Sequence, residues 1–294
     1  MSRSRRRPRV ALESTLLYHG VPRRRGLEVF DRLCAAVEGA GAEPCLIGIV
    51  DGSVRVGLGR RSLAQMLARE AVAKVGARGI AGAVARHVCA ATTVSATMAI
   101  AADAGIAVFA TGGIGGVHRG AVASYDESED LVALSRYPVA VVSAGAKAIL
   151  DLPRTVERLE TLGVPVIGFG TDRFSAFYSN RSPVAVAERV DDVAELARLA
   201  RVRLGGRYGR GGLLVVTRVP IAHEIAPRTV ERAVTAALAQ ARRQGARGAA
   251  VTPAALAALN AIAGGRFLET NIAVVASNAR LAAALAVALA RRRA

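Results

Sequence analysis

The sequence predicts an α/β fold, a single three-layer α/β/α domain with helices on both faces of a mixed central sheet. Three observations predict it. Short β-branched apolar runs alternate with amphipathic stretches of helical period, as strands and crossover helices do. The 294 residues are 52% hydrophobic, yet only 4% aromatic and without Trp, so the core is filled by small aliphatic side chains, as in layered α/β folds. Between Ala107 and Asp151, a strand, a glycine-rich loop, a second strand, a small-residue turn and a lysine follow one another, the place where an open α/β sheet puts its chemistry.

Taken in order, Arg9 to Leu17 reads as the first strand, its apolar run interrupted by Glu13. Gly26 to Gly41 is an amphipathic helix closed by glycines. Ala42 to Val50 is a strand, and Asp51-Gly52 turns it into a hairpin with Ser53 to Gly57. Ser62 to Glu70 and Ser95 to Ala104 are helices. Val164 to Gly168 is a strand, followed by a loop to Pro183 long enough to imply function or a subunit contact. Ala185 to Leu204 is a helix and Leu213 to Val219 a strand. Thr229 to Gly245 and Pro253 to Gly264 are helices, and Asn271 to Ala276 is a last strand before a terminal helix. Residues 1–9 form a disordered basic tail and 10–294 the domain.

The central stretch carries the chemistry. Its two apolar runs, AVFATGG and PVAVVSAGAKAILD, flank a loop with five glycines, a His-Arg pair and four carboxylates. The second run becomes a helix directly after Lys147. Among 40 basic residues only Lys74 and Lys147 are lysines. Where positive charge suffices this chain uses Arg, which does not deprotonate, whereas a desolvated lysine is an amine nucleophile. Asp126, Glu129 and Asp130 have the spacing of one helical face, fit for a hard divalent cation or a general acid, or for an acidic first turn.

Composition excludes other classes. Cys34, Cys45 and Cys89 are odd in number and unpatterned, which suggests neither a disulfide framework nor a zinc site and fits a reducing cytoplasm. The net charge of +17 invites a nucleic-acid reading. The arginines are dispersed, however, and no aromatic-basic pattern interleaves them, so no specific nucleic-acid partner is expected. No apolar region follows the basic start, and no run of about 18 apolar residues lacks charges, so neither a secretory signal nor a membrane span is expected. LAAALAVALA reads as a buried terminal helix.

ALEST, AKVGARGI, ATTV, FATGGIGGVHRGA, the acidic SYDESEDL, SAGAKAILDLPRTVERLETLGVPVIGF and TNIAVV occur collinearly over nearly the whole chain. Together they resemble the pseudouridine-5′-phosphate glycosidase family, which includes indigoidine synthase A-like proteins. The resemblance implies reversible cleavage of the C–C glycosidic bond of pseudouridine 5′-phosphate to uracil and ribose 5-phosphate. It implies Lys147 as nucleophile forming an imine, Glu13 as proton donor to the base and Asp130 as a proton carrier at the ring oxygen. Asp126 would hold one Mn²⁺ per subunit. Lys74, Thr111 and Ser128 would hold phosphate and ribose with neighbouring backbone, Glu129 among the substrate-binding residues. Val94 would line the pocket, and His118 and Asn271 would contact ligand. A homotrimer is implied too. The alternative is a related C-glycoside synthase of secondary metabolism that takes a different base. Two departures from the family pattern bear on the pocket: Tyr18 before His19-Gly20, and Ala90 where the family has glycine, a strain if that backbone needs a positive φ.

Overall fold

The computed structural model describes residues 7–246, 251–262 and 265–291. In chain order the strands are β1 (Arg9–Glu13), β2 (Glu43–Val50), β3 (Ser53–Val56), β4 (Ala73–Val75), β5 (Ala90–Thr92), β6 (Val108–Ala110), β7 (Ala140–Ser143), β8 (Val166–Phe169), β9 (Glu188–Val190) and β10 (Leu213–Val216). The helices are α1 (Gly26–Glu38), α2 (Arg60–Ala68), α3 (Ile80–Ala85), α4 (Val94–Asp103), α5 (Ala121–Ser124), α6 (Glu129–Arg136), α7 (Leu152–Thr161), α8 (Val193–Leu204), α9 (Pro227–Arg243), α10 (Val251–Ile262) and α11 (Arg266–Ala290).

All the strands join one sheet in the order β4-β5-β2-β1-β6-β7-β10-β8-β9, with β3 paired to β2 as a hairpin. Pairing is parallel except where β2 meets β3 and β5, so the sheet is mixed as expected. Its strands bury both faces. Val10, Leu12, Val108, Ala110, Val142 and Val215 pack on one side with α1, α8 and α11, while Ala11, Phe109, Val141 and Leu214 pack on the other with α4, α6 and α9. The period of two along each strand therefore separates two apolar layers rather than an apolar and a polar face.

Strand β1 is the switch point. The chain leaves it for β2 to β5 on one side, then returns to β6 on the other. Crevices at the carboxyl ends of such strands are where ligands bind in open α/β sheets. Glu13 ends β1 and Thr111 follows β6 at this position.

Several expected elements differ. The first strand stops at Glu13, and Leu16–Gly20 forms a turn of π-helix, a widened turn frequent at functional sites. Asn271 to Ala276 is not a strand but lies inside α11. Its β-branched residues favour strand locally, yet helical packing against β1, β6, β7, α1 and α8 on all sides removes the periodicity that marks an exposed helix. The helix expected directly after Lys147 starts five residues later, at Leu152, where Asp151 accepts the Arg154 N–H and Pro153 fills the first turn. Ala185 to Leu204 splits into β9 and α8, with Asp192 capping the helix. Ala90 is extended in β5 and needs no positive φ, so alanine carries no strain there. Helix α11 is long and apolar enough to cross a bilayer, but most of it is buried against the sheet and its neighbours. Arg9 already belongs to β1, and Met1 to Arg6 of the expected tail lie outside the described residues.

Candidate active site

A cavity of about 530 Å³ opens at the switch point. Every residue expected at the site lines it: Glu13, Lys74, Val94, Thr111, His118, Asp126, Ser128, Glu129, Asp130, Lys147 and Asn271.

Two loops beyond β6 and β7 build its floor. They continue the pairing of their strands without side chains to separate them. Thr111 N donates to Val142 O (3.0 Å), Ala144 N to Gly112 O (3.0 Å), Ile114 N to Gly145 O (3.0 Å) and Lys147 N to Ile114 O (3.0 Å). This zipper carries Lys147 past the strand end to the cavity wall. It demands glycine at two places. Gly145 has φ +73° and an added Cβ would stand 2.2 Å from Ser175 O, while a Cβ on Gly115 would stand 2.1 Å from Ser128 Oγ.

The glycine loop then runs antiparallel to residues 126–128. His118 N donates to Asp126 O (3.0 Å) and Ser128 N to Gly116 O (3.0 Å). The acidic residues do not share a helical face, because α6 begins only at Glu129 behind the Ser128 cap. Each goes its own way. Asp130 is buried and accepts from Ser95 N (2.9 Å) and Gly115 N (2.8 Å), which clamps the start of α4 to the glycine loop. Glu129 accepts from Arg78 N (2.7 Å) and Ser95 Oγ (3.3 Å), and Glu127 pairs with Arg158. Among the described residues, the Asp126 carboxylate accepts no hydrogen bond, and His118 Nδ1 stands 3.8 Å from it. Burial holds the His118 imidazole below its ordinary pKa, helped by Lys147 and Lys74 and opposed by Asp126.

The open carboxylate of Asp126 suits a hard divalent ion that keeps most of its waters. An all-protein cage is not on offer: among the described residues, no three His, Cys, Asp or Glu side chains cluster for a metal.

Glu13 is 8% exposed and accepts a hydrogen bond from Thr111 Oγ1. Burial pushes its carboxyl above the ordinary range. The positive charge of Lys147 and the Thr111 bond oppose that rise, Asp130 adds to it, and Lys74 opposes it weakly. Lys74 projects from the edge strand β4 into the cavity. The protein crowded around it lowers its pKa, as does the like charge of Lys147, while Asp130 and Glu13 pull the other way. Two lysines and two carboxylates thus share one electrostatic neighbourhood, the kind of cluster found at functional sites.

Sequence reasoning missed other lining residues. Thr15, one of these, and the expected Asn271 carry the two buried side-chain oxygens without a partner among the described residues, and both line the cavity. An unmet buried oxygen is costly, which suits a ligand donor. Phe177, from the long loop after β8, has φ +62° and presses its ring on Gly112 and Gly113. A bulky residue in that region is a strained outlier of the kind found at ligand clamps. The loop length was its only signal. Tyr18 turns away from the cavity, donating its hydroxyl to Arg69 O (2.8 Å), whereas His19 and Gly20 line the wall.

The family model for indigoidine synthase A-like protein matches residues 2–288. A relative from Methylobacterium nodulans named pseudouridine-5′-phosphate glycosidase is 49% identical over 96% of this chain and 83% of its own. A relative of the same name from Chloroflexus aurantiacus is 48% identical over 95% and 92%. Two solved structures share the fold. An indigoidine synthase A-like protein from Thermotoga maritima superposes with a TM-score of 0.90 at 37% identity, covering 97% of this chain and 94% of that one. The prealnumycin C-glycosynthase AlnA in complex with ribulose 5-phosphate gives 0.87 at 39%, covering 96% and 91%. With its sequence matched over residues 2–288 and its fold shared with both solved structures, the chain belongs to the indigoidine synthase A-like family.

Proposed function

We propose that this protein is a pseudouridine-5′-phosphate glycosidase that cleaves the C–C glycosidic bond through an imine on Lys147. The observation that carries the reading is the meeting, at one switch point, of a lysine on a zipped loop with a buried carboxyl, Glu13, whose pKa burial raises. The curated relatives bear that activity in their names.

A C-glycoside has no leaving heteroatom, so protonation by a carboxyl alone does not cleave it. The Lys147 amine attacks C1′ and the bond to the ring oxygen breaks, opening the ribose. Asp130, whose oxygens keep a free lone pair beside their backbone bonds, serves that oxygen's protons. Glu13 then delivers a proton to uracil C5. The C1′–C5 electrons return to the pyrimidine ring while the lysine nitrogen closes the imine. Water releases ribose 5-phosphate. Lys74 and the backbone around Ser128 hold the phosphate. Ribulose 5-phosphate, bound by AlnA, supports an opened pentose in such a cavity, since its phosphorylated 5-hydroxyl cannot close a ring.

Asp126 is the residue to hold Mn²⁺. Bound there with its waters, the ion supplies positive charge beside the pentose phosphate.

The test uses the two lysines. Ribose 5-phosphate with borohydride traps one pentose phosphate on the protein, and peptide mapping places it on Lys147. Lys147→Arg abolishes adduct and uracil release, because a guanidinium stays protonated. Lys74→Arg weakens substrate binding but leaves the adduct on Lys147. An adduct on Lys74 overturns the assignment. The fold shared with AlnA favours a second reading, synthesis of a C-glycoside on another acceptor. Release of uracil from pseudouridine 5′-phosphate separates the two.

A further inference from the structure

Helix α11 carries two asparagines seven residues apart, Asn271 and Asn278, and so on one face. Asn271 faces the cavity, but Asn278 is fully buried among the alanines and leucines that pack α11 on the sheet. A core amide is costly unless both its ends are met. Here both are. Asn278 Nδ2 donates to Thr111 O (2.8 Å), and Asn278 Oδ1 accepts from Thr217 Oγ1 (2.6 Å). Thr217 N donates in turn to Ser143 O (2.9 Å). Thr111 Oγ1 donates to Glu13. One chain of bonds therefore runs across the carboxyl ends of β10, β7, β6 and β1, with a single helix side chain at its centre.

The position of the anchored carbonyl matters. Thr111 O belongs to the peptide bond with Gly112, and Gly113 follows. Glycine places little restraint on the backbone. The residue whose hydroxyl meets Glu13 is thus the last one before a permissive segment, and the Asn278 amide holds its carbonyl from the helix side while Val142 O holds its N–H from the strand side.

We propose that Asn278 is a positioning residue for the proton donor: it fixes the Thr111 peptide so that the Thr111 hydroxyl bonds Glu13. The idea rests on the proposed reaction only for its effect on turnover, since the bond to Glu13 is a property of the protein itself. Besides Thr111 from β6, Glu13 faces Lys147 from the loop after β7, Lys74 from β4 and Asp130 from α6. None of these touches Asn278. A hydroxyl that donates to a carboxylate favours the charged form, so losing it raises the pH at which the carboxyl titrates.

The experiment is a ¹³C NMR titration of carboxyl-labelled glutamate in the full chain, with Glu13 assigned by its missing signal in Glu13→Gln. The Glu13 midpoint moves to higher pH in Asn278→Leu and in Thr111→Val. The double variant moves no further than Thr111→Val alone, because the amide acts through that hydroxyl. Should Asn278→Leu fail to fold, Thr217→Val keeps the amide, removes its acceptor-side bond and gives a smaller shift of the same sign. In the assay, Asn278→Leu lowers uracil release between about 10- and 100-fold, moves the alkaline limb of the pH profile upward, and leaves pentose trapping on Lys147 at the wild-type level. An unmoved midpoint in a folded variant, or a double variant whose shifts add in full, overturns the proposal. If the wild type releases no uracil, the proposed reaction fails, and the titration still decides the role of Asn278.

Discussion

Glu13 shows how a buried carboxyl weakens the fold that holds it. Burial raises its carboxyl pKa above the ordinary 4.5. Between 4.5 and the raised value the unfolded chain has released this proton and the folded one has not. Stability therefore falls as the pH rises through that window. Glu13→Gln keeps an oxygen for Thr111 and has no charge to bury. Its melting temperature should match the wild type below pH 4.5 and exceed it at neutral pH, by calorimetry across a pH series. The same variant should release no uracil and place no solvent deuterium at uracil C5. Asp126 makes the opposite prediction. A Mn²⁺ ion anchored there by one carboxylate, as proposed, should exchange fast and bind with modest affinity. Chelation should abolish turnover, added Mn²⁺ should restore it, and Asp126→Asn should need far more Mn²⁺ for the same rate. Full activity in chelated enzyme would remove the metal from the reaction.

At the scale of elements, the two zipped loops matter most. They hold Lys147 chiefly by backbone bonds, so their geometry rests on glycine. Gly145→Ala places a side chain where φ is +73° and backbone oxygen already stands. The strain costs at least about 1 kcal/mol, and the loop must shift to relieve it. Pentose trapping on Lys147 should fall more steeply than the melting temperature; an alanine variant that traps at the wild-type rate would show that the loop does not set the lysine. Phe177 belongs to this scale too. Its ring covers Gly112 and Gly113 from a loop that pairs with neither strand. Helix α11 acts as a spine along β1, β6 and β7, reaching the cavity with one asparagine and the strand ends with another.

Over the whole molecule, the sheet brings β1, β6 and β7 side by side although residues 14–107 separate the first two in sequence. Charge is distributed differently. The +17 excess is carried by arginines, many of them exposed and several in surface pairs with Asp or Glu, which contribute little to stability. Near the site, Val122 and Tyr125 are 70% and 88% exposed in the segment leading to Asp126. We propose the homotrimer that the family resemblance implies, and sedimentation equilibrium should find three chains of 30.4 kDa per particle. A monomer at micromolar concentration would refute it.

The sequence by itself determined the layered α/β class, the strands on either side of the glycine loop and the identity of the chemical groups, because periodicity, glycine placement and lysine scarcity are local properties. Lys147 stood out through the scarcity of lysine, whereas Glu13, a charge interrupting an apolar run, took its role from the family resemblance. Only the tertiary structure decided what those groups touch. Asp126, Glu129 and Asp130 have helical spacing, yet the helix starts only after the Ser128 cap, and while Glu129 and Asp130 accept backbone bonds, Asp126 is left open. TNIAVV reads as strand because β-branched residues favour it, yet helix wins since packing on every side outweighs local preference. Thr15 and Asn278 carried no signal of their own, and Phe177 only the length of its loop. Their roles arise from contacts between segments distant in sequence, which no pattern along one chain can display.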